Sequence, residues 1–254
     1  MTSLVPHRIG TTQLLFTSLT STNQFALELV SKTRPTPGTV VSASFQSAGR
    51  GQIGRDWVSE RGKNACFSVV LYPAVPATDQ FLLNASVALA LRNVVAAVVP
   101  GSVTIKWPND IYIEDSKVAG ILIQNAVAGT RLRYSIAGIG LNVNQTRFPD
   151  DLPNPTSLRM ECDRWIDLAW IRRQVCHALE AALQPAADST EILRAYQLHL
   201  YQSGRRVWFE ETDSGIRFEA QIVRVDGNGK LRLLRAGQET AYAFNEIKMI
   251  MHAS

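Results

Sequence analysis

Between Ser44 and Trp57 the chain reads Ser-Phe-Gln-Ser-Ala-Gly-Arg-Gly-Gln-Ile-Gly-Arg-Asp-Trp. Gly49, Gly51 and Gly54 alternate with Arg50 and Arg55 after the β-branched run Thr39-Val40-Val41. The pattern describes a strand that empties into a pliable, basic loop. Glycine lets the backbone approach a ligand closely and reach positive φ, while guanidinium groups present forked donors to phosphate or carboxylate oxygens. An anionic ligand held by a loop that orders around it is the functional expectation. An ordinary solvated loop is what the cluster, taken alone, leaves open.

The chain has 254 residues, enough for one large domain or a large and a small one without covalent staples. Its formal net charge of +4 raises the question of nucleic acid, but the basic residues are scattered rather than blocked, which describes a solvated surface. Cys66, Cys162 and Cys176 are odd in number and share no metal or redox spacing, so reduced thiols of a cytoplasmic protein are expected. The start, Met1-Thr-Ser-Leu-Val-Pro-His-Arg, has no apolar core of a signal peptide, and no stretch suits a membrane helix.

Ser21 followed by Gln24 fits a capping box, with Phe25 to Val30 continuing as a helix that Pro35 and Pro37 end. Ser21, Thr22 and Asn23 are thus placed at a helix N-terminus, where hydroxyls and free N–H groups concentrate. Capping alone also accounts for them. Strands are expected over 39–45 and 64–72, a long buried helix over 79–99 and a strand over 103–107 that Pro108 stops. A hairpin follows, from 111–114 to 117–124, turning at Asp115-Ser116. A further strand or strand pair spans 132–144, where Gly138-Ile-Gly140 permits close backbone approach. Helical periodicity occupies 165–183 and 190–201, separated at Pro185. The reading is α+β, a mixed sheet backed by helices. After Ser203-Gly204 come short β runs, two of them joined at Asp226-Gly-Asn-Gly229, which read as a small barrel. A domain boundary near Gly204 divides 1–203 from 204–254.

Gly49-Arg50-Gly51-Gln52-Ile53-Gly54-Arg55 resembles the Gly-Arg-Gly-Arg-x-Gly-Arg loop of the biotin protein ligases. Ser21-Thr22-Asn23, Lys106-Trp107-Pro108-Asn109-Asp110 and Lys117-Val-Ala-Gly120-Ile-Leu match in the same order. The resemblance implies a class II synthetase-like catalytic domain and a C-terminal SH3-like barrel. It implies an enzyme that joins biotin to a lysine of a biotin carboxyl carrier protein through biotinoyl-5'-AMP, using ATP and Mg²⁺. About twenty residues precede Ser21, too few for a helix-turn-helix domain, so the expected form lacks specific DNA binding. A homodimer is open.

Residue by residue, the resemblance implies biotin contacts from Ser21, Thr22, Asn23, Gln46, Gly49, Arg50, Gly51, Gln52, Lys117 and Gly120. It implies nucleotide contacts from Arg50, Arg55, Trp57, Lys106, Asn109, Lys117 and Asn142. Lys117, Arg50 and Asp110 are the implied catalytic set, with Lys117 meeting both the biotin carboxylate and the α-phosphate. Gln46 carries a donor and an acceptor suited to a urea group. Asp110 suits Mg²⁺ held partly through water, and equally an Asx turn after Pro108. His7, His177, His199 and His252 lie outside every motif, which disfavours a histidine base or a zinc site. Gln52 stands where the family usually has arginine, which predicts weaker retention of the adenylate unless a neighbour such as Arg61 compensates. Three other readings compete with the ligase: lipoate ligation within the same superfamily, biotin binding without turnover, and non-specific nucleic-acid binding.

Overall fold

The computed structural model describes residues 8–52, 56–184 and 188–251. Seven segments pair into one sheet: β1 (Gln13–Phe16), β2 (Val40–Ala43), β3 (Ala65–Leu71), β4 (Val103–Lys106), β5 (Asp110–Ile113), β6 (Ser116–Ala128) and β7 (Arg131–Leu141). Their order is β1-β2-β3-β7-β6-β5-β4, with β1 parallel to β2 and the other neighbours antiparallel. All seven residues of β3 are buried, as expected of a central strand covered on both faces.

The two-residue period of the strands sorts their side chains between two cores. Phe67, Val69 and Leu71 of β3 and Ala137 and Ile139 of β7 join the large cluster built with helix α2 (Gln80–Ala96). Val70 and Ile136 face the other way and form a small cluster with Val41 and Ala26 of helix α1 (Thr22–Lys32). On that second face, β3 next carries Ser68 and Cys66, and β7 carries Gly138 and Gly140. The sheet beside the α1 N-terminus therefore lacks large side chains, and space opens above it.

Helix α3 (Leu158–Cys162) is short, and α4 (Leu168–Ala182) and α5 (Ser189–Leu198) pack against α2. Each is capped by the residue before it: Ser157, Asp167 and Asp188 accept a backbone N–H of the first turn. A second sheet, wholly antiparallel, has the order β11-β10-β9-β8-β12. Its strands are β8 (Arg206–Glu211), β9 (Arg217–Val225), β10 (Leu231–Arg235), β11 (Gln238–Tyr242) and β12 (Ile247–Met249). It is tied to the rest of the molecule by Gln197 of α5, which accepts from Val225 N at 2.9 Å and donates to Val223 O at 3.2 Å. Trp107 Nε1 adds a bond to Gly229 O at 2.9 Å. No helix among the described residues is long and apolar enough to cross a membrane.

The mixed sheet backed by helices and the small all-β unit agree with the sequence reading, and several details differ. The β5–β6 turn lies at Glu114-Asp115, one residue earlier than expected, because Glu114 takes the left-handed conformation (φ 48°) and Ser116 already pairs with Ile113. The segment 132–144 is one strand that ends at Leu141, paired along its length with β6. The expected helix from Trp165 starts at Leu168; a separate short helix precedes it, ended by Asp163 at φ 48°. The capping box forms by half: Ser21 Oγ accepts from Gln24 N, but the Gln24 side chain bonds Glu28 instead of reaching back.

Candidate active site

The bare part of the sheet opens into a cavity of about 990 Å³, bordered by the α1 N-terminus, the basic loop, β5 to β7, the segment 148–155 and the second sheet. At its α1 end the side chains are closely tied. Thr22 N donates to Gln46 Oε1 at 2.7 Å, which leaves the Gln46 amide nitrogen uncommitted by that bond. Asn23 Nδ2 reaches Leu122 O and Gln124 Oε1, both at 3.1 Å. Ser68 Oγ lies 2.8 Å from Thr22 Oγ1 and 2.6 Å from Asn23 Oδ1. Gly138 is required here, since a Cβ on it would fall on the Asn23 amide.

Midway along the cavity, Lys117 Nζ lies 2.7 Å from Asp110 Oδ2 and 5.9 Å from the centre of the Trp57 ring. A bulge between Ile111 and Tyr112 shifts the β5–β6 register, so Lys117 and Asp110 reach each other over Gly120. The main chain of Lys117 is held on its far side too: its N–H donates to Asn154 O at 2.7 Å and its C=O accepts from Thr156 N at 2.9 Å. Gly120 and Gly140 face each other across β6 and β7, and the Trp57 indole lies over both. The room those glycines leave is filled here by an aromatic platform.

At the other end, Asn142 is 5 % exposed; its Nδ2 donates to Thr156 O at 2.9 Å, while its buried Oδ1 has no hydrogen-bond partner among the described residues. Phe148 and Leu152 make an apolar wall beside it. Arg217 of β9, Lys248 of β12 and Phe244 in the β11–β12 connection add to the rim, so Arg50, Lys106, Lys117, Arg217 and Lys248 all border one space. Asp56, Asp110, Asp151 and Glu210 border it too, with Arg217 paired to Glu210 at 2.8 Å, so the space is of mixed charge with a small excess of cations that suits an anionic ligand. Lys106 Nζ lies 3.4 Å from the Tyr112 hydroxyl. The Pro108 carbonyl between β4 and β5 accepts from Tyr196 at 2.8 Å and Asn84 at 2.9 Å, which fixes the turn that carries Asn109 and Asp110. Burial, with the Asp110 charge adding to it, raises the Tyr196 phenol well above its ordinary pKa, so it stays a donor. Burial likewise pushes up the Cys66 thiol beneath the loop.

The structure brings Ser21, Thr22, Asn23, Gln46, Arg50, Gly51, Gln52, Trp57, Lys106, Asn109, Asp110, Lys117, Gly120 and Asn142 to this cavity. Gly49 is not on its wall; it is buried where Trp57 N donates to its carbonyl at 2.9 Å, and a Cβ there would fall on the Trp57 carbonyl. Arg55 lies outside the described residues, as do His7 and His252. The Asn109 amide is spent on Ile121 O, so that side chain braces β6. Arg61 stacks on Phe45, 4.7 Å from the ring centre, and bonds Thr17 O, away from the cavity wall. Among the described residues no three His, Cys, Asp or Glu side chains converge as a metal cluster. Sequence reasoning missed Ser68, Gln124, Phe148, Leu152 and the second-sheet residues. The alternation along β3 was the only signal that put Ser68 on the α1 face.

Residues 15–142 match the model of the biotin/lipoate A/B protein ligase family. The chain is 39% identical over 167 residues to the bifunctional ligase/repressor BirA of Bacillus subtilis, covering 64% of this chain and 50% of that protein. It is 35% identical over 143 residues to the biotin–[acetyl-CoA-carboxylase] ligase of Mycobacterium tuberculosis, covering 54% of this chain and 51% of the relative. The matched part thus spans about half the length of these curated relatives. In fold, the chain is similar to a biotin protein ligase from Aquifex aeolicus solved with biotin and ATP, with a TM-score of 0.80 at 21% identity over 95% of this chain and 100% of that one. With half of the sequence under the family model, the chain belongs to the biotin/lipoate A/B protein ligase family.

Proposed function

We propose that the protein ligates biotin to a lysine of a biotin carboxyl carrier protein, in two steps, through biotinoyl-5'-AMP. The observation that carries this reading is a single cavity shared by Lys117, the Ser21-Thr22-Asn23 and Gln46 cluster on one side, and Asn142 on the other. One ammonium group is thereby set between the polar cluster at the α1 N-terminus and the Asn142 side chain.

In the first step the biotin carboxylate attacks the α-phosphorus of ATP and pyrophosphate leaves. Lys117 sits where it meets both the carboxylate and the developing charge on the α-phosphoryl oxygens, a contribution worth several kcal/mol when the donor is preorganised. Its ion pair with Asp110 and the strapped main chain at Asn154 and Thr156 supply that preorganisation. Arg50, which borders the cavity, neutralises phosphate charge. The adenine stacks on the Trp57 ring and meets the Asn142 Oδ1 acceptor with its 6-amino group. In the second step a carrier lysine amine attacks the acyl carbonyl and AMP leaves, with Lys117 polarising the carbonyl.

A magnesium ion fits this site only as a largely hydrated ion, because Asp110 is one carboxylate already shared with Lys117 and no three-ligand cluster surrounds it among the described residues. Asp110 would hold it, and when bound it offsets charge on the departing pyrophosphate. The boundary near Gly204 divides a catalytic domain, 1–203, from a barrel, 204–254, whose Arg217 and Lys248 face the triphosphate end.

Incubation with MgATP, a carrier domain and either biotin or lipoate tests the proposal by intact mass. Acylation of one carrier lysine with biotin alone is the expected result. Acylation with lipoate alone assigns the other branch of the family, and acylation with neither contradicts the ligase reading.

A further inference from the structure

The network behind the α1 N-terminus has only one consistent arrangement of hydrogens. The Leu122 carbonyl can only accept, so the Asn23 group 3.1 Å from it is the amide nitrogen, and Asn23 Oδ1 on the opposite side can only accept as well. Ser68 Oγ lies 2.6 Å from that oxygen, which commits the single hydrogen of the Ser68 hydroxyl. The 2.8 Å contact between Ser68 and Thr22 then requires the Thr22 hydroxyl to be the donor. Thr22 has no hydrogen left, and it borders the cavity as an acceptor. Independently, Thr22 N–H occupies Gln46 Oε1, so the Gln46 amide is turned with Nε2 as its donor, one hydrogen meeting the Cys66 sulfur and the other left for a ligand. Gln124 Oε1, 3.1 Å from Asn23 Nδ2, takes that nitrogen's other hydrogen and locks the amide further.

We propose that Ser68 is a positioning residue that fixes the hydrogen-bond polarity of this pocket, making Thr22 an acceptor for a ligand N–H. The assignment rests on the ligase reading and deepens it. A cyclic urea offers ring N–H donors and a carbonyl acceptor, which complements an acceptor on Thr22 and a donor on Gln46. Ser68 is fully buried and acts through Thr22 rather than by touching the ligand. The missing Cβ of Gly138, whose place the Asn23 amide occupies, belongs to the same device.

Calorimetric titration with biotin and with its two cyclic carbamate analogues, each having one ring N–H replaced by oxygen, tests this. The unaltered protein binds one analogue at least about tenfold more weakly than biotin, because an ether-like oxygen meets the Thr22 acceptor. In Ser68→Ala the Thr22 hydrogen is released and can turn toward the ring oxygen. Biotin affinity then falls about tenfold while that analogue's does not, so the gap closes. Ser68→Cys, close in size and a poor donor, behaves in the same way, and the KM for ATP is unchanged in both. A general loss of packing would weaken all three ligands alike. Equal losses, an unaltered gap, or equal binding of all three ligands by the unaltered protein overturns the assignment while leaving the ligase reading in place. Failure of the unaltered protein to bind biotin overturns both.

Discussion

Lys117 Nζ lies 2.7 Å from Asp110 Oδ2, and the two side chains remain 30% and 23% exposed. At that exposure the pair adds at most about 1 kcal/mol to stability, so its value lies in aiming the ammonium group. Asp110→Asn is therefore expected to shift the Tm by no more than about 4 °C. The same change lowers kcat for adenylation at least about tenfold through lost positioning of Lys117. Thermal unfolding monitored by circular dichroism, set beside adenylation rates, checks both halves.

Gly140 and Trp57 fit closely at the site. A Cβ at position 140 would penetrate the indole, and the neighbouring Gly120 is backed by the same ring. Gly140→Ala should displace Trp57 at a cost of about 1–3 kcal/mol from overpacking and raise the KM for ATP more than the Kd for biotin. Steady-state kinetics with each substrate varied would reveal the asymmetry. A rise confined to biotin would place the acyl chain, rather than the base, on this ring.

Asn142 Oδ1 has no hydrogen-bond partner among the described residues, which predicts nucleotide selectivity. With its Nδ2 held by Thr156 O, the side chain offers the base an acceptor only. ATP should outcompete inosine triphosphate by at least about tenfold, since the 6-oxo group would set two acceptors against each other. Asn142→Leu should raise the KM for ATP and erase the preference. Competition in the adenylation assay measures it.

Gln52 borders the cavity where a charged fork would otherwise stand. Arg61 does not substitute for it, being committed to Phe45 and Thr17 O. Gln52→Arg is expected to slow escape of the acyl adenylate by roughly tenfold, from one charge-assisted contact of about 1.5 kcal/mol or more. Quantifying free adenylate in the absence of carrier protein tests the point, and equal release from both forms removes it.

Much of this arrangement was legible in the chain because the informative residues sit on regular elements. The period of β3, the proline stops and the Ser21 cap placed α1 and the central strands close to where they lie. What escaped was set by tertiary pairing. Strand β1 is four residues and β12 three, each too short to show a period, and they exist through their bonds to β2 and β8. The role of Gln124 depends on a partner 101 positions away, and no local pattern encodes that meeting. Gly140 does permit the close approach expected of it, but its partner was not legible. The sequence shows that room exists at a glycine, but not that Trp57 fills it.

The central claim is that the ammonium group of Lys117 drives adenylate formation. Exchange of labelled pyrophosphate into ATP, compared between the unaltered protein and Lys117→Gln, tests it most directly because it requires no carrier protein. Exchange that depends on biotin and falls by at least about a hundredfold in the variant, the scale of losing one preorganised donor, is the predicted result. Exchange that survives the substitution would contradict it.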